Sequence, residues 1–118
     1  MTIATVQAER FSIPLPEPLS DSTHGEMSHF ELVTVRIRDH EGVEGLGYTY
    51  TVGNAANAIL SLIRDDITPL LLEEEASRIE NLWQKMWWHL HYAGRGGPTT
   101  FAISAVDIAL WDIKGKAL

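Results

Sequence analysis

The first part of the chain has the two-residue period of β-strands. Apolar and polar residues alternate from Glu31 to Arg38, as in a half-buried strand. A polar turn cluster follows at residues 39–42, and an extended segment resumes from Val43 to Thr51, so these two segments predict a hairpin. Thr2 to Ile13 is a third extended segment, which a run of prolines ends. The stretch from Leu15 to Ser28 has no period, and its composition predicts a functional or mobile loop.

The rest of the chain has the period of helices. Asn54 is the predicted N-cap of a first helix, which Pro69 is expected to end. Ser77 to Glu80 has the form of a capping box, which predicts that a second helix begins there. The apolar positions of this second helix recur three and four residues apart: Ile79, Leu82, Trp83, Met86, Trp87 and Leu90. A third helix is predicted from about Thr100, with its main apolar stripe at Ala102, Ala105, Val106, Ala109, Leu110 and Ile113.

The third predicted helix is apolar on more than one side. Ile103, Ile108 and Trp111 lie off its main stripe, and a helix that is apolar nearly all round is buried on several sides. Two other helices and a small sheet cover only one of these sides. We therefore expect that the natural protein continues beyond Leu118 and that a large structure packs against these three residues.

Composition narrows the class of protein. The 118 residues have the length of one domain, and 45% hydrophobic and 21% charged residues are typical of soluble globular proteins. The net charge of −7 excludes a protein that tracks nucleic-acid phosphates. The absence of cysteine excludes a disulfide framework, a thiolate zinc site and a cysteine nucleophile. The chain begins without a signal-peptide pattern and has no membrane-spanning run, so we expect a cytoplasmic domain without nucleic-acid or membrane partners.

Two motifs resemble one protein family. The turn motif DxxGxxGxG at residues 39–47 and the helix segment SAVDIALWDIKGK at residues 104–116 are similar to the mandelate racemase and muconate lactonizing branch of the enolase superfamily. The resemblance implies an α+β fold, a three-stranded antiparallel sheet followed by a helical bundle. Residues 1–118 would then be an N-terminal capping domain. Its last helix, about residues 100–118, would lead into a (β/α) barrel that this chain lacks.

The resemblance also implies the chemistry of the intact enzyme. In this family three barrel carboxylates hold Mg²⁺, and Lys or His bases at the ends of barrel strands abstract a proton alpha to the substrate carboxylate. None of those positions lies in this chain, so we expect it to contain no catalytic residue, no metal ligand and no cofactor, and to be inactive alone. The expected partners are its own barrel, a small carboxylate substrate such as an acid sugar, and further copies in a homo-oligomer.

Two loops of the capping domain are implied to contact the substrate over the barrel mouth. Matching by position places Leu19, His24 and Met27 in the first loop, and Tyr50 and Val52 in the second. The apolar side chains would exclude water, while the imidazole and the phenol would hydrogen-bond a hydroxyl or a carboxylate.

The resemblance favours dehydration of an acid sugar among the reactions of this branch. Residues 20–24 offer polar partners for a polyol, and the stretches at residues 48–51 and 90–97 look like those of acid-sugar dehydratases. A racemase or epimerase, or a cycloisomerase, would share this capping domain, and fold alone does not choose among them. An alternative of another class is a self-standing, non-catalytic binding or assembly module.

Two pairs of polar residues on the helices are expected to be structural. His89 and His91 diverge by about 200° around a helix and cannot chelate one ion. Asp107 and Asp112, about 140° apart, fail the same test, and we expect both to fix their helix by hydrogen bonds.

Three further polar residues are not assigned to a site. Arg95 lies between glycines and is interpreted as part of a flexible connector rather than an anion contact. His29 and His40 are expected at the surface.

Overall fold

The computed structural model describes residues 1–118, and its first half is a three-stranded antiparallel sheet. The strands are β1 (Ile3–Asp21), β2 (Gly25–Asp39) and β3 (Glu44–Thr51), in the order β1-β2-β3. Alternate residues of β2 are buried, so one face of the sheet is covered by helices and the other is open. The buried residues of β2 are Glu31, Val33, Val35, Ile37 and Asp39. The predicted α+β fold is confirmed.

The prediction of a loop from Leu15 to Ser28 is wrong for most of this stretch, which is strand. β1 continues to Asp21, and its last residues pair with the start of β2, with Leu19 opposite Met27. The register is irregular between residues 14 and 19, where the prolines lie. Prolines are tolerated there because β1 is an edge strand and need not donate every ladder hydrogen bond. We call this two-stranded extension, residues 14–29, the arm.

The first helical region is longer than predicted. It comprises α1 (Ala56–Ser61), a π-helical turn (Leu62–Ile67) and α2 (Thr68–Leu71). The prediction that Pro69 ends the helix is wrong, because the proline lies in the first turn of α2 after the wider π-turn. The N-cap of α1 is Ala55, with φ of 67°, and not the predicted Asn54.

The second and third predicted helices are present as α3 (Ile79–Leu90) and α4 (Pro98–Ala117). The capping box does not form, because the Ser77 hydroxyl donates to Glu75 at 3.0 Å instead of capping α3. All six residues of the predicted α4 stripe are buried, which confirms that prediction. None of the helices is long and apolar enough to cross a membrane.

Two glycines of β3 let α4 lie directly against the sheet. A Cβ atom on Gly45 would lie 2.6 Å from the backbone nitrogen of Ile113, and one on Gly47 would lie 2.6 Å from that of Ala109. Both contacts are with helix backbone, which cannot rotate away as a side chain does. The close approach of β3 and α4 therefore requires glycine at both positions.

The two aspartates of α4 differ from one another. Asp112 accepts hydrogen bonds from the Leu46 N–H at 2.8 Å and from Lys116 Nζ at 2.9 Å. The hydrogen bond from Lys116, followed by that from Leu46, holds the pKa of Asp112 below its usual value. Its predicted structural role is confirmed. Asp107 has no such partner, and burial raises its pKa, so the same prediction is wrong for Asp107.

Fewer apolar residues of α4 are exposed outside its main stripe than predicted. Ile108 and Trp111 are 40% and 54% exposed, as expected for residues off the main stripe. Ile103 is only 5% exposed, so the expectation that it faces outwards is wrong. Besides β3, α4 packs against β2, α1, the π-helical turn and α3, so its surroundings cover more of it than the main stripe.

Candidate functional site

The five predicted substrate contacts lie at one end of the sheet. Leu19, His24 and Met27 are on the arm, and Tyr50 and Val52 lie where β3 ends. The last residue of β3, at position 51, is opposite residue 31 of β2. Residue 31 follows directly after the arm, so both regions lie at the same end of the sheet. The structure therefore brings the two predicted substrate regions to the same edge of the domain.

The tip of the arm is a turn organised by one carboxylate. Asp21 Oδ1 accepts the N–H of Thr23 at 2.8 Å and also the N–H of His24, while Asp21 Oδ2 lies 2.9 Å from His24 Nδ1. These hydrogen bonds, that of the His24 N–H first, lower the pKa of Asp21. Because this pKa is depressed, the ordering of the turn is present above the ordinary carboxyl pKa. It is lost as the pH falls through the lowered value.

The end of β3 forms the second part of the site. Tyr50 is 55% exposed and packs on Phe30, with ring centroids 5.5 Å apart. Tyr50 and Val52 line a surface cavity of about 380 Å³, whose other wall is the start of α4 at Pro98 and Phe101. The cavity is mainly apolar, with one phenol at its edge, as expected of a surface that shields a small polar ligand.

A cluster that the sequence did not predict joins these two regions. Glu31 accepts a hydrogen bond from Arg10 Nε at 2.8 Å and lies 3.3 Å from His29 Nε2. Arg10 Nη1 also donates to Asn57 Oδ1 at 3.1 Å. One signal was available in the sequence: Glu31 is a charged residue on the same face of β2 as three buried apolar residues.

The side chains that commonly bind metal ions are not clustered in this chain. No group of three or more His, Cys, Asp or Glu side chains is placed to hold an ion, so the residues present do not fit a Mg²⁺ site. His91 Nδ1 contacts the Trp88 carbonyl oxygen at 2.6 Å and its ring stacks on Trp87, so the two helical histidines do not form a chelating pair. Arg95 is exposed.

A three-stranded antiparallel sheet with a projecting arm, packed on a helical bundle, is the fold expected of a capping domain. Residues 2–118 match the family model described as the mandelate racemase/muconate lactonizing enzyme N-terminal domain. The chain belongs to this family, within the enolase superfamily.

Two curated relatives are a cycloisomerase and a dehydratase. The chain is 57% identical over 113 residues to 3,6-anhydro-alpha-L-galactonate cycloisomerase from Streptomyces coelicolor, covering 96% of this chain and 31% of the relative. It is 46% identical over 85 residues to D-mannonate dehydratase from Sphingomonas sp., covering 71% of this chain and 20% of that enzyme. The chain thus spans about a third or less of the length of these relatives.

Solved structures agree with the fold. A racemase from Streptomyces coelicolor with bound magnesium matches with a TM-score of 0.94 and 57% identity, over 96% of this chain and 32% of that one. L-talarate dehydratase from Polaromonas sp., complexed with Mg and L-glucarate, matches with a TM-score of 0.90 and 33% identity, over 98% of this chain and 32% of that one.

Proposed function

We propose that this chain is the substrate-capping domain of a Mg²⁺-dependent enzyme that abstracts a proton alpha to the carboxylate of an acid sugar. The observation that carries the proposal is that the arm and the end of β3 lie at the same end of the sheet. Its support from the comparisons is that the relatives named above act on galactonate derivatives or mannonate, and that two related structures contain magnesium.

Two reactions are candidates, each favoured by a different relative. Cycloisomerisation is supported by the 57% identity to a cycloisomerase over 96% of the chain. Dehydration is supported by the 46% identity to a dehydratase and by the polar residues of the arm tip. Both act on acid sugars, so the capping domain is proposed to serve the same class of substrate in either case.

The metal and the bases are proposed to belong to a barrel. Mg²⁺ would supply charge stabilisation of the deprotonated substrate there, and this chain contributes no ligand to it. We propose that α4 leads into that barrel and that the exposed Ile108 and Trp111 pack against it. A cytoplasmic location and a homo-oligomeric assembly are further parts of the proposal.

The residues of this chain would bind substrate and exclude water. Leu19 and Met27 are cross-strand partners on the arm and would shield the substrate as one apolar unit. His24, held by Asp21, and the exposed phenol of Tyr50 would donate or accept hydrogen bonds with its hydroxyl or carboxylate groups.

Replacing His24 with alanine in the full-length protein is expected to lower kcat/KM by about tenfold or more, because loss of a buried polar contact costs roughly 1–3 kcal/mol. The melting temperature should barely change, since His24 is exposed in the domain. Steady-state kinetics on D-mannonate and 3,6-anhydro-L-galactonate, with thermal denaturation, measure both quantities.

The matched control for this change is His40→Ala. His40 is also exposed and also contacts a carboxylate, Glu73 at 3.0 Å, but it lies in the turn between β2 and β3, away from the arm. Its substitution should leave kcat/KM unchanged. Equal kcat/KM values for wild type and His24→Ala would remove His24 from the substrate contacts.

A further inference from the structure

Glu31 is a carboxylate at a position where the sheet pattern calls for an apolar residue. It lies on the helix-facing side of β2, and its side chain is 4% exposed. Its Cα partners are Ser12 of β1 and Thr51 of β3, so it occupies the last three-stranded row before the arm begins. A charge removed from water is costly, and an apolar side chain of similar volume would avoid that cost. Stability alone therefore does not account for a glutamate here.

Each carboxylate oxygen of Glu31 has its own partner, one on β1 and one on β2. Oε2 accepts from Arg10 Nε of β1 at 2.8 Å, and Oε1 lies 3.3 Å from His29 Nε2 at the root of the arm. The hydrogen bond from Arg10 is the main cause that holds the pKa of Glu31 below its usual value. Glu31 is thus an ionised group that links the body of β1 to the arm.

Arg10 extends this link to the helical layer. Its Nη1 donates to Asn57 Oδ1 at 3.1 Å, in the first turn of α1. The segment before α1 turns sharply, since Gly53 and Ala55 have φ of 95° and 67°. The cluster is also next to this segment, because a Cβ atom on Gly53 would lie 3.8 Å from His29 Nε2. The chain Glu31–Arg10–Asn57 therefore fixes the segment 52–57 to the sheet.

We propose that Glu31 is a positioning residue that holds the arm and the segment 52–57 at a fixed angle to each other, so that both face one substrate. This proposal rests on the proposed function, because it is the arm and the end of β3 that carry the substrate contacts. Glu31 itself does not touch the substrate. It acts through His29 on one side and through Arg10 and Asn57 on the other.

Hydrogen–deuterium exchange of the full-length protein tests the link without any need for activity. Two variants break it at different points: Glu31→Gln removes the charge, and Asn57→Ala removes only the exposed acceptor of Arg10. We expect Glu31→Gln to accelerate exchange about tenfold at residues 14–29 and 52–57, and Asn57→Ala to accelerate it about tenfold at residues 52–57, with α3 and α4 unchanged in both. Asn54→Ala is the matched control for the exchange measurement, because Asn54 is an exposed asparagine in the same segment, and Arg10 donates to Asn57 instead.

Kinetics separate positioning from a structural role. Loss of a fixed binding geometry is expected to raise KM for D-mannonate or 3,6-anhydro-L-galactonate about tenfold, while kcat changes by less than about threefold. A purely structural role would instead lower the stability of the whole domain and leave the KM of the folded enzyme unchanged.

Each outcome decides the proposal. Local acceleration with a raised KM in Asn57→Ala supports it, even if Glu31→Gln fails to fold. Acceleration spread over all helices, no acceleration in Asn57→Ala, or an unchanged KM overturns it. A wild-type enzyme that turns over neither acid sugar nor any other of this class contradicts the proposed function instead. The exchange pattern then decides by itself whether Glu31 couples the two segments.

Discussion

Replacing Gly47 with alanine is expected to lower the free energy of unfolding by about 2–3 kcal/mol, the cost of overpacking a site that cannot relax. The added Cβ would lie 2.6 Å from the Ala109 nitrogen and closer still to the Ala105 carbonyl oxygen. Both atoms belong to the backbone of α4, so the helix would have to move away from β3. That movement would loosen the packing of the whole apolar stripe of α4 on the sheet.

The matched control is Gly115→Ala in α4 itself. A Cβ atom at Gly115 would meet nothing within 4 Å, and alanine in a helix is more stable than glycine by about 0.5–1 kcal/mol. The same substitution should therefore destabilise the protein at one position and stabilise it at the other. Chemical denaturation of both variants measures the difference. Equal changes in unfolding free energy would mean that α4 does not rest on the glycines of β3.

The second large effect is expected at the exposed side of α4. Ile108 and Trp111 leave roughly 200 Å² of apolar surface uncovered, which at about 25 cal/mol per Å² corresponds to at most about 5 kcal/mol. Trp83 of α3 and Trp111 of α4 line one groove between the two helices. Taken alone, the 118-residue chain is expected to self-associate through this surface. The double substitution Ile108→Gln and Trp111→Gln should reduce that association.

Trp88→Gln is the control for this second prediction. Trp88 is 61% exposed on α3, more than Trp111, but it lies outside the groove beside α4. Analytical ultracentrifugation and binding of a dye for apolar surfaces should show a larger change for the double variant than for Trp88→Gln. A wild-type chain that is monomeric and binds no dye would show that this side of α4 needs no cover.

Sequence patterns predicted those parts of the fold that depend on local periodicity. The alternation in β2 and the apolar stripe of α4 both depend on residues only a few positions apart. The pattern failed where a distant or unusual partner decides the structure. The prolines of β1 are tolerated because that strand lies at the sheet edge, and Pro69 is accommodated by a π-turn that no local signal announces.

The candidate site shows the same division. The resemblance placed the five predicted substrate contacts in two loops, and the structure places these two regions at the same end of the sheet. The cluster around Glu31 was missed because its partners are 21 residues apart for Arg10 and Glu31, and 47 apart for Arg10 and Asn57. Ile103 was misplaced for a related reason, since the elements packed around α4 are distant in the sequence.

The proposed capping role implies that the metal and the bases of the active site lie outside this chain. The most direct test compares the full-length protein with the 118-residue chain, by titration calorimetry with Mg²⁺ and by turnover of D-mannonate, D-galactonate and 3,6-anhydro-L-galactonate. We expect Mg²⁺ binding and Mg²⁺-dependent turnover for the full-length protein, and neither for the chain alone. A stoichiometric micromolar Mg²⁺ site or turnover in the 118-residue chain alone would contradict the proposed capping role.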